Sequence, residues 1–148
     1  MKVCLACSAG GHLSEMLQLK PFYGKRGHYF VTFRRPDSES LARNERVFFI
    51  ERPARNPLLF IVNAFQSLAV LLKENPDLVV STGADVALAT CWWAKLLGKK
   101  VIYIESFCRP FVPGVTGKMV EPIADLFIVQ WREVQKHYPK SVYGGPIF

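Results

Sequence analysis

The chain has 148 residues, half of them hydrophobic, with a formal net charge of +7. That length fits one domain with a core of its own, and that composition excludes a disordered or low-complexity chain. The basic excess is concentrated at the front: residues 1–56 hold ten Lys and Arg against five Asp and Glu, so the early part of the chain suits an anionic partner or an ordinary solvated surface.

In chain order, residues 2–8 read as a solid apolar strand, and residues 12–20 as a helix with Leu13, Met16 and Leu17 on one face. A second strand is expected over 27–33, a short capped helix over 37–44 and a third strand over 46–51. A long apolar helix covers 57–75. A strand at 77–82 and a helix at 84–97 follow, then a strand at 100–106. A short helix near 116–123, a sixth strand at 124–130 and a last short helix through 137 complete the pattern, and SVYGG closes the chain. Strands that are continuous apolar runs, alternating with helices, indicate a doubly wound, Rossmann-like α/β domain with a parallel sheet covered on both faces. Cys4 and Cys7 fall inside the first strand, where a three-residue spacing points them to opposite faces; they read as reduced structural residues, in keeping with a cytosolic setting.

In such sheets ligands bind off the carboxyl ends of the strands, and the unusual residues fall there. The first strand ends in Ser8-Ala9-Gly10-Gly11-His12. Two glycines between a strand and a helix permit a tight turn and close approach of a ligand to helix N–H groups, which suits a phosphate. The G-x-G-x-x-G pattern and the P-loop lysine are both lacking, so NAD and ATP are weak readings. His12 at the first helical turn can donate to a phosphate, act as a base, or simply cap the turn. The fourth strand ends in Ser81-Thr82-Gly83-Ala84-Asp85, repeating the device, with Asp85 open as a helix cap, a sugar ligand or a base. Glu105 ends an otherwise apolar strand, a place where a carboxylate is functional or paired, and Arg109 follows close behind. Glu15, one turn beyond His12, is positioned to orient the imidazole or to be a surface charge.

From Leu58 to Leu72 only Asn63, Gln66 and Ser67 are polar, and their spacing sets them on one stripe. Fifteen residues rise about 22 Å, short of the roughly 30 Å hydrocarbon core, so the segment reads as an interfacial membrane helix or as one covered by core or partner. Leu58, Leu59, Phe60, Val62, Phe65 and Leu71 are the expected membrane-facing residues, with Arg43, Arg46, Arg52 and Arg55 beside them for anionic headgroups.

Four stretches then carry a family resemblance: SAGGHLSEM at 8–16, STGADVALA at 81–89, VIYIES at 101–106 and VTGKMVEPIADLFIVQW at 115–131. With them the chain resembles, over nearly its whole length, the membrane-anchoring subunit of the two-chain N-acetylglucosaminyltransferase that acts on dolichol-linked oligosaccharides, and above all its bacterial relatives in capsule and exopolysaccharide synthesis. More distantly it resembles the first half of the enzyme that adds N-acetylglucosamine to the lipid-linked muramyl precursor of peptidoglycan. Gly11-His12, Gly83, Glu105 and Gly145-Pro146 match that enzyme's landmarks, whereas Ile104-Glu105-Ser106-Phe107 departs from its His-Glu-Gln-Asn run.

The resemblance implies the acceptor-side half of a split GT-B glycosyltransferase, a hexosyltransferase subunit active only with a donor-binding partner chain. It implies attachment, peripheral or monotopic, to the cytoplasmic face of the plasma membrane, with the apolar helix as anchor and a polyprenyl-diphosphate-linked saccharide as acceptor. The tail from Tyr143 to Phe148 is expected to meet the partner. The expected chemistry is inverting and metal-independent, with a UDP-sugar as donor substrate and no cofactor. His12 is the first candidate base, Glu105 the second and Asp85 the third; Ser8, Gly10, Gly11 and Gly83 shape the diphosphate loops, and Arg109 contacts the acceptor diphosphate. Two rivals stand beside this reading: a non-catalytic membrane tether that activates a separate catalytic chain, and a stand-alone nucleotide-binding domain. Nucleic acid is the weakest partner, because no exposed aromatics are interleaved with the basic residues.

Overall fold

The computed structural model describes all 148 residues. Its elements run β1 (Lys2–Cys7), α1 (Gly11–Gln18), α2 (Lys20–Tyr23), β2 (Gly27–Thr32), α3 (Pro36–Leu41), β3 (Val47–Phe49) and α4 (Pro57–Glu74), then β4 (Leu78–Gly83), α5 (Asp85–Leu96), β5 (Lys100–Ile104), α6 (Val115–Val120), β6 (Leu126–Val129), α7 (Arg132–Gln135) and β7 (Ser141–Tyr143). Seven strands form one parallel sheet in the order β3-β2-β1-β4-β5-β6-β7. This is the Rossmann-like fold expected from the alternating pattern. The strand order reverses direction between β1 and β4, which opens a crevice at their carboxyl ends.

Each sheet face has its own core. Cys4, Ala6, Val79, Val101 and Phe127 pack under α4, α5, α6 and α7. Val3, Leu5, Cys7, Val80 and Ile104 pack under α1 and α2. Cys4 and Cys7 therefore do lie on opposite faces, and both are free thiols. Burial pushes the thiols of Cys4 and Cys91 up to about 12, so neither ionises at neutral pH.

Three elements differ from expectation for local reasons. The helix expected over 12–20 breaks at Leu19, because Pro21 in the first turn of α2 has no N–H to continue the α1 ladder. A seventh strand, β7, pairs with β6 through Phe127–Ser141, Ile128–Val142 and Val129–Tyr143. The apolar helix α4 is 18 residues long, about 27 Å, and is capped by the Asn56 side chain, which accepts from Leu58 N at 2.9 Å. It is long and apolar enough to cross a membrane by length and composition.

The outward face of α4 is apolar, as the residues set toward a membrane require, with Leu71 the exception. Its buried residues are Asn63, Ser67, Leu71 and Glu74, so the polar stripe faces the protein. Asn63 Nδ2 donates to Glu51 O at 2.8 Å and Val86 O at 3.1 Å, and Thr90 Oγ1 donates to Ser67 Oγ at 3.1 Å. Leu58, Phe60, Ile61, Val62, Phe65 and Leu72 face outward. Leu71 does not belong with the membrane-facing residues, since the same stripe carries it inward to 1% exposure. Leu59 is half-buried. The nearby arginines are also partly committed: Arg46 pairs with Glu74 at 2.6 Å, and Arg52 stacks on Phe33.

Candidate functional site

The two glycine loops meet at the crevice between β1 and β4. Ser8 N donates to Gly83 O at 2.8 Å, and Ala84 N reaches Ser8 Oγ at 3.4 Å. Gly83 sits at φ +101°, and a Cβ there would lie 3.0 Å from His12 Cε1 and 3.1 Å from the Tyr103 hydroxyl. Glycine is thus required both by its backbone and by the imidazole packed against it.

His12 is held twice by Thr82. Thr82 Oγ1 donates to His12 O at 2.7 Å, and His12 Nδ1 lies 2.6 Å from Thr82 O. A carbonyl oxygen can only accept, so Nδ1 carries the proton, and the Nε2 lone pair is left to receive another. This orienting group is a backbone carbonyl, in place of the carboxylate expected from Glu15.

Three N–H groups of the first turn of α1, on Gly11, His12 and Leu13, have no partner in the protein. They are the free donors that the opening glycine pair led us to expect. The neighbouring Gly10 N–H is taken, donating to Asp37 Oδ2 at 2.6 Å. The Arg35 guanidinium covers Gly10, 3.5 Å from where a Cβ would stand, and has no carboxylate partner. Arg35 and Asp37 were not singled out from the sequence. The available signal was the Arg34-Arg35-Pro36-Asp37 run just past the second strand, at the same sheet edge as the glycine loops.

Glu105 and Glu15 are both buried, at 3% and 2% exposure, and they hold opposite ends of the loop between β5 and α6. Glu105 accepts from Gly114 N at 3.0 Å, from Ser106 N at 3.0 Å and from the Tyr138 hydroxyl. Gly114 and Gly117 pack against this carboxylate; a Cβ at Gly117 would lie 2.5 Å from Glu105 Oε2. Glu15 accepts from Ser106 Oγ at 2.9 Å, Phe107 N at 3.1 Å and Gln130 Nε2 at 3.2 Å. Burial pushes the Glu15 carboxyl above its ordinary value, opposed by the Ser106 hydroxyl and the nearby His12. Gln130 also donates to Glu105 O at 3.0 Å and accepts from Ile147 N at 2.9 Å, tying the C-terminal tail into the same network. The oxygens of Glu105 are spent on the loop, a positioning geometry rather than that of a solvent-facing base.

Asp85 is held by the segment before α4 and not by His12. Its Oδ1 accepts from Val86 N at 2.9 Å, and its Oδ2 accepts from Ala54 N at 3.2 Å and lies 3.9 Å from Arg52 Nε. It lies in the first turn of α5, where a carboxylate suits the positive end of the helix, and it fastens the segment leading into α4. Arg109 is exposed on the loop after β5, without a carboxylate partner, beside the exposed Phe111 and Val112. No three His, Cys, Asp or Glu side chains converge anywhere in the chain, so no residue set is assigned to a metal.

The family described as "Oligosaccharide biosynthesis protein Alg14 like" matches residues 50–147, a span that includes Gly83, Glu105 and Gln130. The chain belongs to this family. It is 42% identical to the mouse UDP-N-acetylglucosamine transferase subunit ALG14 over an alignment 181 positions long, which takes in 99% of this chain and 83% of the relative. Against the human protein of the same name it is 28% identical over 184 residues, with the same coverage of both chains. These alignments extend the Alg14 likeness back over the SAGGH loop. Among solved structures the fold is similar to Acinetobacter baumannii MurG, with TM-score 0.74 and 18% identity over 90% of this chain and 43% of that one. It is also similar to the UDP-N-acetylglucosamine 2-epimerase of Rickettsia bellii, with TM-score 0.79 and 16% identity over 99% of this chain and 45% of that one. The chain spans less than half the length of either structure, and at these identities the likeness is one of fold alone: the N-terminal half of a GT-B architecture.

Proposed function

We propose that this chain is the acceptor-side half of an inverting, two-chain glycosyltransferase that moves a sugar from a UDP-sugar to a polyprenyl-diphosphate-linked saccharide. Its place is the cytoplasmic face of the membrane, and a separate chain binds the donor. Membership of the Alg14 family supports the class, and the printed names of the mouse and human relatives, UDP-N-acetylglucosamine transferase subunits, make N-acetylglucosamine the first donor sugar to test. The capsule or exopolysaccharide setting is part of the proposal and is tested separately, by the acceptor saccharide used.

The observation that carries the reading is His12: Nδ1 is locked on Thr82 O and Nε2 is free, at the mouth of the switch-point crevice. Nε2 takes the proton of the acceptor hydroxyl. The oxygen's electron pair forms the new bond to the anomeric carbon, and the bond from that carbon to the UDP oxygen breaks, UDP leaving with the pair. The free N–H groups of Gly11, His12 and Leu13, with Arg35, receive phosphate charge without calling on a metal. Arg109 meets the acceptor diphosphate from the opposite loop. Glu105 and Asp85, the second and third candidate bases, hold the loops that frame His12.

The test is His12→Ala in the complex with the donor-binding chain. The expected outcome is a kcat lower by about 100-fold or more, with a melting temperature lowered only by the loss of the Thr82 hydrogen bond. Glu105→Gln is expected to lower activity together with stability. Full activity in His12→Ala would sink the catalytic role and leave a tether that activates its partner, a role the outward apolar face of α4 also serves.

A further inference from the structure

At the carboxyl ends of β2 and β3 opens a pocket of about 270 Å³ that plays no part in the chemistry above. Two arginines brace it crosswise. Arg34, just past β2, lays its guanidinium over the Phe49 ring of β3 at 4.3 Å, and Arg52, just past β3, lays its own over Phe33 at 5.2 Å. Each planar fork is fixed by its ring and keeps N–H groups to spare, because the neighbouring carboxylates are loose: Arg34 lies 3.6 Å from Glu39 and Arg52 lies 3.9 Å from Asp85. Glu51 and Gln66 line the same pocket. Gln66 Oε1 accepts from Glu51 N at 2.6 Å, which leaves the Nε2 donors unspent, and the Glu51 carboxylate makes no ion pair. Both walls are tied to the glycine loops. Arg35, the neighbour of Arg34, covers Gly10. Asp85, two residues past Gly83, accepts from Ala54 N at 3.2 Å. Ala54 and Arg55 sit at φ +47° and +61°, a left-handed conformation that residues with a Cβ keep only where their surroundings impose it. The segment behind Arg52 is thus pinned to the loop of Gly83, against which His12 packs.

We infer that this pocket holds a neutral pyranose of the acceptor saccharide, a unit other than the one that receives the transfer, so that the acceptor carries at least two sugars. The inference rests on the acceptor-side reading of the His12 crevice. A sugar ring presents adjacent hydroxyls that both donate and accept, together with apolar C–H faces. The guanidinium forks and the Gln66 amide supply donors, Glu51 supplies a carboxylate able to accept from two hydroxyls, and Phe33 and Phe49 supply apolar edges. At about 270 Å³ the pocket falls just below the range of drug-sized sites, about 300–1,000 Å³, and suits a single ring. Other ligands fit it less well. A purely apolar group would take water from two guanidinium groups and a carboxylate without replacing their bonds. A phosphate or carboxylate would meet the charge of Glu51, with Glu39 and Asp85 beside the arginines. A nucleobase stacks on an aromatic face, and each ring here already carries a guanidinium.

The test is saturation-transfer NMR on the full chain with the methyl glycosides of glucose, galactose and N-acetylglucosamine, and with methyl glucuronide as the charged control. The expected result is saturable transfer to at least one neutral glycoside and weaker binding of the glucuronide. Arg34→Ala removes an exposed donor and is expected to raise the Kd by about tenfold or more. Glu51→Gln keeps the shape of an exposed side chain and both backbone bonds of Glu51, and decides the matter if Arg34→Ala fails to fold. It is expected to weaken the neutral glycoside and strengthen the glucuronide, a reversal that loosened packing does not produce. No saturable transfer in the parent, or an unchanged Kd in the folded variants, overturns the inference. A glucuronide that binds the parent as tightly as the neutral sugars overturns the neutral assignment. His12→Ala separates this site from the crevice beside it. Binding that persists in His12→Ala supports a subsite apart from the base, and binding lost with His12 places the sugar in the crevice and overturns the pocket. A chain that binds glycosides through Arg34 and Glu51, yet whose complex transfers no sugar to a lipid-linked saccharide, keeps the sugar site and overturns its assignment to an acceptor.

Discussion

Two glycines predict opposite outcomes for the same added methyl. At Gly117 a Cβ would stand 2.5 Å from both Glu105 Oε2 and the Tyr138 hydroxyl, two groups already bonded to each other in a buried site. Gly117→Ala is expected to cost about 1–3 kcal/mol, read as a lower urea midpoint. At Gly11 a Cβ meets nothing within 4 Å, and φ is not positive, so Gly11→Ala is expected to be neutral or slightly stabilising. The same methyl projects where a ligand would approach the free N–H groups, and activity in the complex should fall while stability holds. Loss of stability at Gly11 would show that this loop is shaped for the fold and not for a ligand. Glu15 gives a pH test. Burial raises its folded-state value above the ordinary 4.5, so across the window between the two the folded state binds more protons than the unfolded one. Stability therefore falls as pH rises through that window, and it is highest below it. Unfolding by urea between pH 4 and pH 7 should show this downward slope in the parent and a flatter one in Glu15→Gln. An identical slope in both would assign it to other groups.

Among the elements, α4 shows where sequence legibility stops. The first six strands, the two glycine loops and the polar stripe of Asn63, Gln66 and Ser67 were all readable, because each is a local pattern of apolar runs, turn residues or helical spacing. The partners of that stripe were not, since helical spacing says nothing of what lies opposite it. It points inward here because Glu51 O and Val86 O need a donor and Asn63 supplies it, contacts 12 and 23 residues away in sequence. Strand β7 was missed for a related reason: Ser141-Val142-Tyr143 runs straight into Gly144-Gly145 and lacks the flanking apolar run that marks β3, so only pairing with β6 makes it a strand. Glu105 was legible as unusual, but Gly114, Tyr138 and Gln130, which define its role, lie 9, 33 and 25 residues on. Arg35 escaped because its contact with Gly10 joins separate strand-to-helix loops. The inward-facing stripe predicts that Asn63→Leu, a change toward greater hydrophobicity, destabilises the domain by about 1–3 kcal/mol by removing the amide's bonds to Glu51 O and Val86 O. Thermal unfolding checks it, and an unchanged or raised midpoint would mean water replaces the amide.

At the scale of the whole molecule, the apolar surface is one-sided. Helices α4, α5 and α6 share one sheet face, and Leu58, Phe65, Leu72, Leu96 and Val115 all stand more than 60% exposed on it. A water-soluble surface of this kind calls for a covering phase, and each such side chain transferred to an apolar one contributes about 1.5–3 kcal/mol. The triple change Leu58→Ser, Phe65→Ser, Leu72→Ser removes three outward contacts of α4 and touches none of its buried stripe. It is expected to abolish flotation with anionic liposomes while leaving the melting temperature near that of the parent. Leu71→Ser is the converse control: at 1% exposure its loss should lower stability without a specific effect on flotation. Salt separates the two attractive forces. Attachment through the basic residues alone would disappear as ionic strength rises and would ignore the triple change; attachment through α4 would persist in salt and be lost in the triple variant. Flotation that survives both treatments would place the membrane contact on another surface, with the 111–115 loop, where Phe111 and Val112 are exposed, the next segment to alter.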